Sequence, residues 1–457
     1  MSKPRRQLTL LDSTSIIVGV IIGAGIYESS PLIAANVTSA SWLLGVWLVG
    51  GLISLIGALC YAELATAYPH AGGDYVYLTR ALGRSPGFLF AWAHLWVDAP
   101  GSTGALAFVF ARYANQLWPI ETGAGEAAAL TIYAAAAVAV LSTINILGVR
   151  EGKWTQNALT GVKVLGLAAV IVVGLLYSVE DSGTQTEASL DQRAAATEPQ
   201  AKPIAPAPSL GLALILVLFT YGGWKEMAYV AAEVRRPRKN ILRALVLGTV
   251  SVTAIYLLFN LSLLGALGLG GMARSDAVAA DVLSLAAGER GARLISLLIC
   301  VSALGAMNGQ IFAGARVYYA MGREHRLWHW LGRWHPRLGT PAAALALQGL
   351  ITLGLVFAFG LLTSGGFQSM VEYTAPIYWM FFVLVGISLF VLRRREPDRP
   401  RPYRVWLYPI TPLVFLASGL LLLYASLDYA LRNASYEPLW AVALLAVGVI
   451  FSAVDRQ

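Results

Sequence analysis

Charge and cysteine are scarce in this sequence. Only 13% of its 457 residues are charged, whereas soluble domains carry about 25%. Hydrophobic residues make up 57% of the chain. This balance excludes an ordinary water-soluble enzyme and a disordered chain. Two cysteines, Cys60 and Cys300, are too few for a disulfide scaffold. Both lie in apolar runs, where cysteine serves as a small core residue.

Motifs for nucleotide or metal chemistry are also missing. The sequence contains no GxxxxGK[ST] pattern, no HExxH pattern and no cluster of Cys and His. The net charge of +8 could suggest nucleic acid, but the charges lie in short loops between apolar runs, which is typical of a membrane protein. We therefore predict that the chain is not an enzyme, uses no cofactor or metal and has no nucleic-acid partner.

Long apolar runs are what the sequence has in abundance. A transmembrane helix needs about 20 mostly apolar residues. Twelve segments meet this requirement: 13–35, 41–68, 84–113, 126–147, 155–178, 209–232, 241–269, 289–321, 341–363, 369–392, 404–427 and 437–454. We predict an all-α integral membrane protein with about twelve transmembrane helices, which form a single domain over residues 1–457.

Basic residues are distributed unevenly between the predicted loops. They are concentrated at the N-terminus and after segments 6, 8 and 10, the last of these containing Arg393, Arg394, Arg395, Arg399, Arg401 and Arg404. Loops on the opposite side are poor in Lys and Arg. The longest, residues 179–208, is predicted to be extracytoplasmic. The positive-inside rule then places both termini in the cytoplasm of a protein of the cell membrane.

Glycines interrupt the first and sixth segments. The first reads VGVIIGAGIYESSP, with Gly19, Gly23 and Gly25, and the sixth reads FTYGGWKEM, with Gly222 and Gly223. Gly-interrupted segments at matching positions of two halves indicate a transporter binding site, where unwound backbone binds substrate and ions. The alternative is that the glycines only allow close helix packing, which the spacing of Gly19 and Gly23 also fits.

Five separated motifs resemble the amino acid–polyamine–organocation superfamily, in particular its L-type amino acid transporter branch. The resemblance extends from about Leu10 to Pro412. The first two motifs are IIGAGIY at 21–27 and CYAEL at 60–64, which is followed by GGDY at 72–75. The third is FTYGGW at 219–224, followed by Glu233, Pro237 and Asn240. The fourth is a stretch at 308–341 that begins with NG and ends with TP, and the fifth is PRPY at 400–403.

The resemblance implies a LeuT-type fold. Residues 10–178 would form a first five-helix repeat and residues 209–392 a second, inverted one, with helices 1 and 6 broken. Residues 404–454 would add two further helices. Alternating access would move a bundle of helices 1, 2, 6 and 7 against the rest of the protein.

The resemblance also implies a binding site for an amino acid at the two breaks. The substrate carboxylate would contact the backbone of Ala24 and Gly25, and its ammonium would contact carbonyls near Ile21, Phe219 and Gly222. Phe219 would also gate the site. Gly23 and Thr220 are the remaining predicted binding residues at the two breaks. Animal members are linked to a heavy chain through a cysteine after span 3. Residues 113–126 contain none, so no such disulfide partner is expected.

Ionisable residues inside apolar segments are costly and suggest function. Lys163 lies in segment 5, and the resemblance suggests that it replaces the cation of sodium-coupled relatives, linking helices 1 and 5. The alternative is a lysine that extends to the cytoplasmic surface. In segment 3, Asp98 follows His94 by four residues. We predict that Asp98 pairs with Lys225 near the substrate path; alternatively, Lys225 and Glu226 line a wet vestibule.

Taken together, these features predict secondary active transport of L-amino acids by alternating access. Neutral substrates and sodium-independent exchange or proton-linked uptake are expected. Small residues at 313–315 would favour large side chains if they face the site. Asp98 and Lys225 leave open a carrier for cationic or acidic amino acids or polyamines. A nutrient sensor built on the same fold is a further alternative.

Overall fold

The computed structural model describes residues 4–120, 125–181, 209–275, 277–362, 366–432 and 436–454. Most of the predicted loop 179–208 therefore lies outside the described residues. The described part is helical, apart from turns and one isolated β-bridge between Leu8 and Val234. The α-helices are α1 Leu10–Ile21, α2 Gly25–Ala34, α3 Ala40–Ala67, α4 Asp74–Leu82, α5 Arg84–Ala93, α6 Ala99–Leu117, α7 Glu126–Leu147, α8 Val149–Asp181, α9 Leu210–Thr220, α10 Glu226–Tyr229, α11 Pro237–Arg274, α12 Val278–Ala287, α13 Glu289–Glu324, α14 Ala342–Leu362, α15 Gly366–Arg395, α16 Ile410–Arg432 and α17 Glu437–Val454.

Every one of the twelve predicted segments contains a helix. Within the described residues, eight helices are long and apolar enough to cross a membrane, and a ninth span is formed by α1 and α2, which are bent by 48° at their junction. Predicted segments 3, 6 and 12 correspond to α5 with α6, to α9 with α10, and to α17. The multi-pass membrane architecture is thus confirmed. The short helices α4 and α12 were not predicted.

Local sequence explains where the first helix begins. Thr9 precedes α1, and its hydroxyl accepts a hydrogen bond from the Asp12 amide at 3.2 Å. The Asp12 carboxylate in turn accepts one from the Thr9 amide at 2.9 Å. This reciprocal arrangement is a capping box, which satisfies amides that the first helical turn leaves unpaired. The beginning of the broken span is therefore set by two neighbouring side chains.

The two breaks lie against each other in the interior. Gly223, after α9, has φ +120°, a conformation that side-chain-bearing residues rarely adopt. A Cβ atom on Gly223 would lie 2.8 Å from Val20 Cγ1 and 3.2 Å from the Ile21 amide nitrogen. Glycine is thus required here both for its backbone conformation and for the close approach of the two broken spans.

Buried ion pairs hold the arginine-rich side of the molecule together. Glu63 accepts hydrogen bonds from Arg393 Nε at 2.7 Å and from the Val405 amide at 2.7 Å, which ties α3 to α15 and to the chain after it. Glu233 pairs with Arg316 of α13 at 2.8 Å. This second pair joins the chain after α10 to α13.

Candidate substrate site at the two helix breaks

A cavity of about 350 Å³ lies at the breaks of the first and sixth spans. Eight of the ten predicted site residues line it: Ile21, Gly23, Ala24, Gly25, Asp98, Phe219, Thr220 and Gly222. Lys163 and Lys225 are not among its lining residues. Lys225 instead lines a small neighbouring cavity. Phe219 lines the cavity and its side chain is 48% exposed.

The glycines of the first break have two different roles, close helix packing and bordering the cavity. A Cβ atom on Gly19 would lie 2.0 Å from Gln156 Nε2, so Gly19 allows α1 to pack closely on α8. A Cβ atom on Gly23 or Gly25 would have no neighbour nearer than 3.5 Å. Close helix packing therefore explains Gly19, whereas Gly23 and Gly25 border the open cavity.

Unwinding leaves backbone groups at the cavity. The first amides of α2, which begins at Gly25, have no partner within their own helix, and a helix N-terminus favours a negative group. The Ile21 carbonyl accepts hydrogen bonds from Tyr256 Oη at 2.9 Å and from the Gly23 amide at 2.8 Å. The Phe219 carbonyl accepts one from the Gly222 amide at 3.1 Å. The cavity thus presents amides and carbonyls on facing segments.

Lys163 lies wholly in the interior, with 0% exposure. Its Nζ donates hydrogen bonds to the carbonyl oxygens of Gly19 at 2.8 Å, Ile22 at 2.7 Å and Ser302 at 2.9 Å. This geometry excludes the alternative of a lysine extended to the surface. The amine joins the end of α1 to α8 and also to α13, a contact that the sequence did not indicate.

Asp98 and Lys225 are brought together as predicted. Lys225 Nζ lies 3.5 Å from Asp98 Oδ2 and 3.9 Å from the centre of the Tyr378 ring. Asp98 ends a single π-helical turn, His94–Asp98, and His94 Nε2 lies 3.9 Å from its carboxylate. A π turn widens the helix and often marks a functional site. The pair is buried, since both side chains are at most 11% exposed.

Several lining residues were not among the predicted site residues, although we noted His94 and placed Glu226 in the alternative of a wet vestibule. They come from the third, sixth, eighth and tenth spans, and include His94, Glu226, Tyr229, Gln310, Thr374 and Tyr378. Polar residues within apolar runs were the available signal for Glu226 and Gln310. The tyrosines carry no such signal. Of the small residues at 313–315, only Gly314 lines the cavity, so the expectation of a large side chain rests on one position.

Paired breaks around a central cavity, in a chain with many apolar helices, define a multi-pass membrane transporter. A sequence profile of the amino acid permease family matches residues 8–451. The chain belongs to this family.

Similar proteins come from animals and from a bacterium. The b(0,+)-type amino acid transporter 1 of Mus musculus is 29% identical over 451 residues, which cover 98% of this chain and 87% of that protein. The large neutral amino acids transporter small subunit 2 of Mus musculus is 31% identical over 426 residues, which cover 90% of this chain and 75% of that protein. The serine/threonine exchanger SteT of Bacillus subtilis is 30% identical over 431 residues, which cover 93% of this chain and 91% of that protein. The family and these relatives are transporters, not enzymes.

Proposed function

We propose that this protein exchanges L-amino acids, in the first place neutral ones, across the cell membrane by alternating access and without sodium. The observation that carries the proposal is the cavity lined by both helix breaks, with the Lys163 amine bound to carbonyls beside the first break. The similarity to named amino acid transporters and exchangers supports it.

The substrate backbone would be bound by the protein backbone. Amides around Ala24 and Gly25 would receive the carboxylate, because a helix N-terminus carries partial positive charge. Carbonyls of Ile21, Phe219 and Gly222 would receive the ammonium. Ile21 and Phe219 already accept hydrogen bonds, but a carbonyl oxygen has two lone pairs. Phe219 would cover the bound substrate.

Lys163 would take the place of a bound cation. Its ammonium bridges three carbonyl oxygens of α1, the break and α13. A metal cation between the same spans would need such oxygen ligands. Because the lysine supplies the charge covalently, binding would require no sodium.

The remaining architectural predictions belong to the same proposal. Residues 10–178 and 209–392 would be inverted repeats, residues 404–454 would add two helices, and both termini would be cytoplasmic. The protein would work without a disulfide-linked heavy chain. In support of this, Cys60 and Cys300 are its only cysteines, and both are buried and unpaired.

Proteoliposomes test the proposal. Vesicles loaded with an unlabelled amino acid mixture, and empty vesicles, would receive labelled leucine or serine with sodium, without sodium, or with a pH gradient. Uptake only into loaded vesicles, unaffected by sodium, is expected. Strict sodium dependence would contradict the role of Lys163. Uptake into empty vesicles driven by a proton gradient would show that the protein is a proton symporter and not an exchanger.

A further inference from the structure

The cavity has an acidic wall in a chain whose net charge is +8. Glu28, Asp98 and Glu226 line it, and no Lys or Arg is among the described lining residues. Two of these carboxylates have cationic partners. Glu28 lies 3.0 Å from Arg112, and Asp98 lies 3.5 Å from Lys225. Glu226, the third carboxyl at the wall, forms no ion pair among the described residues.

Glu226 is buried without a complete set of partners. The side chain is 9% exposed, and its Oε2 atom is fully buried with no hydrogen-bond partner. Its neighbour Lys225 is engaged elsewhere, since its ammonium pairs with Asp98 and lies 3.9 Å from the Tyr378 ring centre. A buried acceptor left unpaired is unfavourable, and more so when it is charged.

The cavity itself is the open space beside this carboxylate. Glu226 begins α10, four residues after Gly222 and just beyond the second break. It lines the same cavity as the segments that would bind the substrate backbone. A bound amino acid can therefore bring its side chain to Glu226 while its backbone stays at the breaks.

We infer that Glu226 recognises the substrate side chain and selects amino acids whose side chain donates a hydrogen bond, over apolar side chains of the same shape. This inference rests on the proposed amino acid transport. It names Glu226 as a specificity-determining residue, and it names hydroxyl, amide and ammonium side chains as the preferred class.

The physical reason is the free-energy cost of covering the Glu226 carboxylate with a side chain that cannot hydrogen-bond to it. An apolar side chain would fill the cavity and offer the unpaired Oε2 oxygen no donor. A side chain with an O–H or N–H group would satisfy it. Sites built to hydrogen-bond a substrate discriminate strongly against analogues that lack the group, because their own polar atoms are then left unpaired. An ammonium group would add charge attraction to the hydrogen bond.

Matched substrate pairs test the inference. Threonine and valine have the same shape, and lysine and norleucine differ by the terminal amine. Each would compete as an unlabelled amino acid against labelled serine exchange in proteoliposomes of the full chain. In each pair the amino acid with the side-chain donor, threonine or lysine, should inhibit at least about tenfold more strongly than its apolar counterpart. Hydrogen bonds to charged groups are among the stronger ones. Ratios within one preparation do not depend on how much protein is active.

Three variants sharpen the result. Glu226→Met should erase the preference in both pairs. Glu226→Gln, which keeps an acceptor of the same shape, should retain part of the threonine preference and lose most of the lysine preference. Glu28→Gln removes a cavity carboxylate that is already paired with Arg112, so both ratios should persist.

Several outcomes would overturn the inference. Equal inhibition by threonine and valine, and by lysine and norleucine, in a protein that exchanges amino acids would show that Glu226 does not select donors. Unchanged ratios in Glu226→Met would show the same. If Glu28→Gln lost as much selectivity as Glu226→Met, selectivity would depend on the total charge of the cavity and not on Glu226. Absence of exchange for every amino acid would instead contradict the proposed function itself, and the inference with it.

Discussion

Replacing Lys163 with methionine removes a fully buried donor and leaves an unbranched side chain that is one atom shorter. In the native protein its Nζ lies 2.7–2.9 Å from three carbonyl oxygens, two in the first broken span and one in α13. The substitution leaves those three acceptors facing an apolar thioether. We expect the first break to lose its attachment to α8 and α13.

The magnitude follows from the acceptors that are left without a donor. A buried acceptor left without a donor costs about 1–3 kcal/mol. Ser302 lies inside α13 and keeps its helical donor, so the carbonyls of Gly19 and Ile22 together would cost about 2–6 kcal/mol. Removing the ammonium also relieves a desolvation penalty of several kcal/mol. We therefore expect the lower half of this range, about 3 kcal/mol, which is about a hundredfold in an equilibrium constant. Amino acid exchange should fall by about that factor, and the apparent melting temperature should drop.

Exchange in proteoliposomes and thermal unfolding in detergent measure these effects. Lys153→Met is the matched control on the same helix. Lys153 has one partner, Asp12 at 3.2 Å, and its side chain is 21% exposed, so a loss of no more than about 1 kcal/mol is expected. In Lys163→Ala the shorter side chain leaves room for a cation, and sodium should partly restore exchange. Wild-type exchange and melting temperature in Lys163→Met would refute the reasoning.

Two further predictions concern the pair beside the cavity and the second break. Asp98→Asn or Lys225→Met alone leaves one buried charge without its partner and should cost about 3–5 kcal/mol of stability. The double variant should recover part of that loss in thermal unfolding; strictly additive losses would contradict coupling. Gly223→Ala imposes a side chain at φ +120° and 2.8 Å from Val20, so folded yield on size-exclusion chromatography should collapse. Gly25→Ala, whose Cβ would meet Thr220 at 3.5 Å, should keep that yield; equal yields would refute the packing argument.

Helix positions could be predicted because they depend on local composition. A span needs only enough consecutive apolar residues, and each predicted segment contains a helix. The breaks were visible as glycine clusters for a similar reason. Segment 12, predicted at 437–454, is one helix with the same bounds. Segment 3, in contrast, consists of two helices joined by a π turn, a form that apolar content does not distinguish from a straight span.

The roles of single glycines could not be separated from sequence. Gly19 and Gly23 lie four residues apart in the same motif, yet one packs on Gln156 and the other borders the cavity. Which face of a helix meets a neighbour depends on how the helices assemble. The same holds for Ala313 and Ala315, which do not line the cavity although Gly314 between them does.

The sequence by itself determined that this chain crosses a membrane many times, breaks its first and sixth spans and carries a lysine within the fifth. These are properties of neighbouring residues, because hydropathy and backbone freedom act locally. The tertiary structure alone decided the partners. It brought Ser302 to Lys163, and it decided between the two arrangements considered for Lys225 by placing its ammonium 3.5 Å from Asp98. It also left Glu226 unpaired at the cavity wall. Contacts between residues distant in the chain depend on packing in three dimensions, which no local pattern encodes.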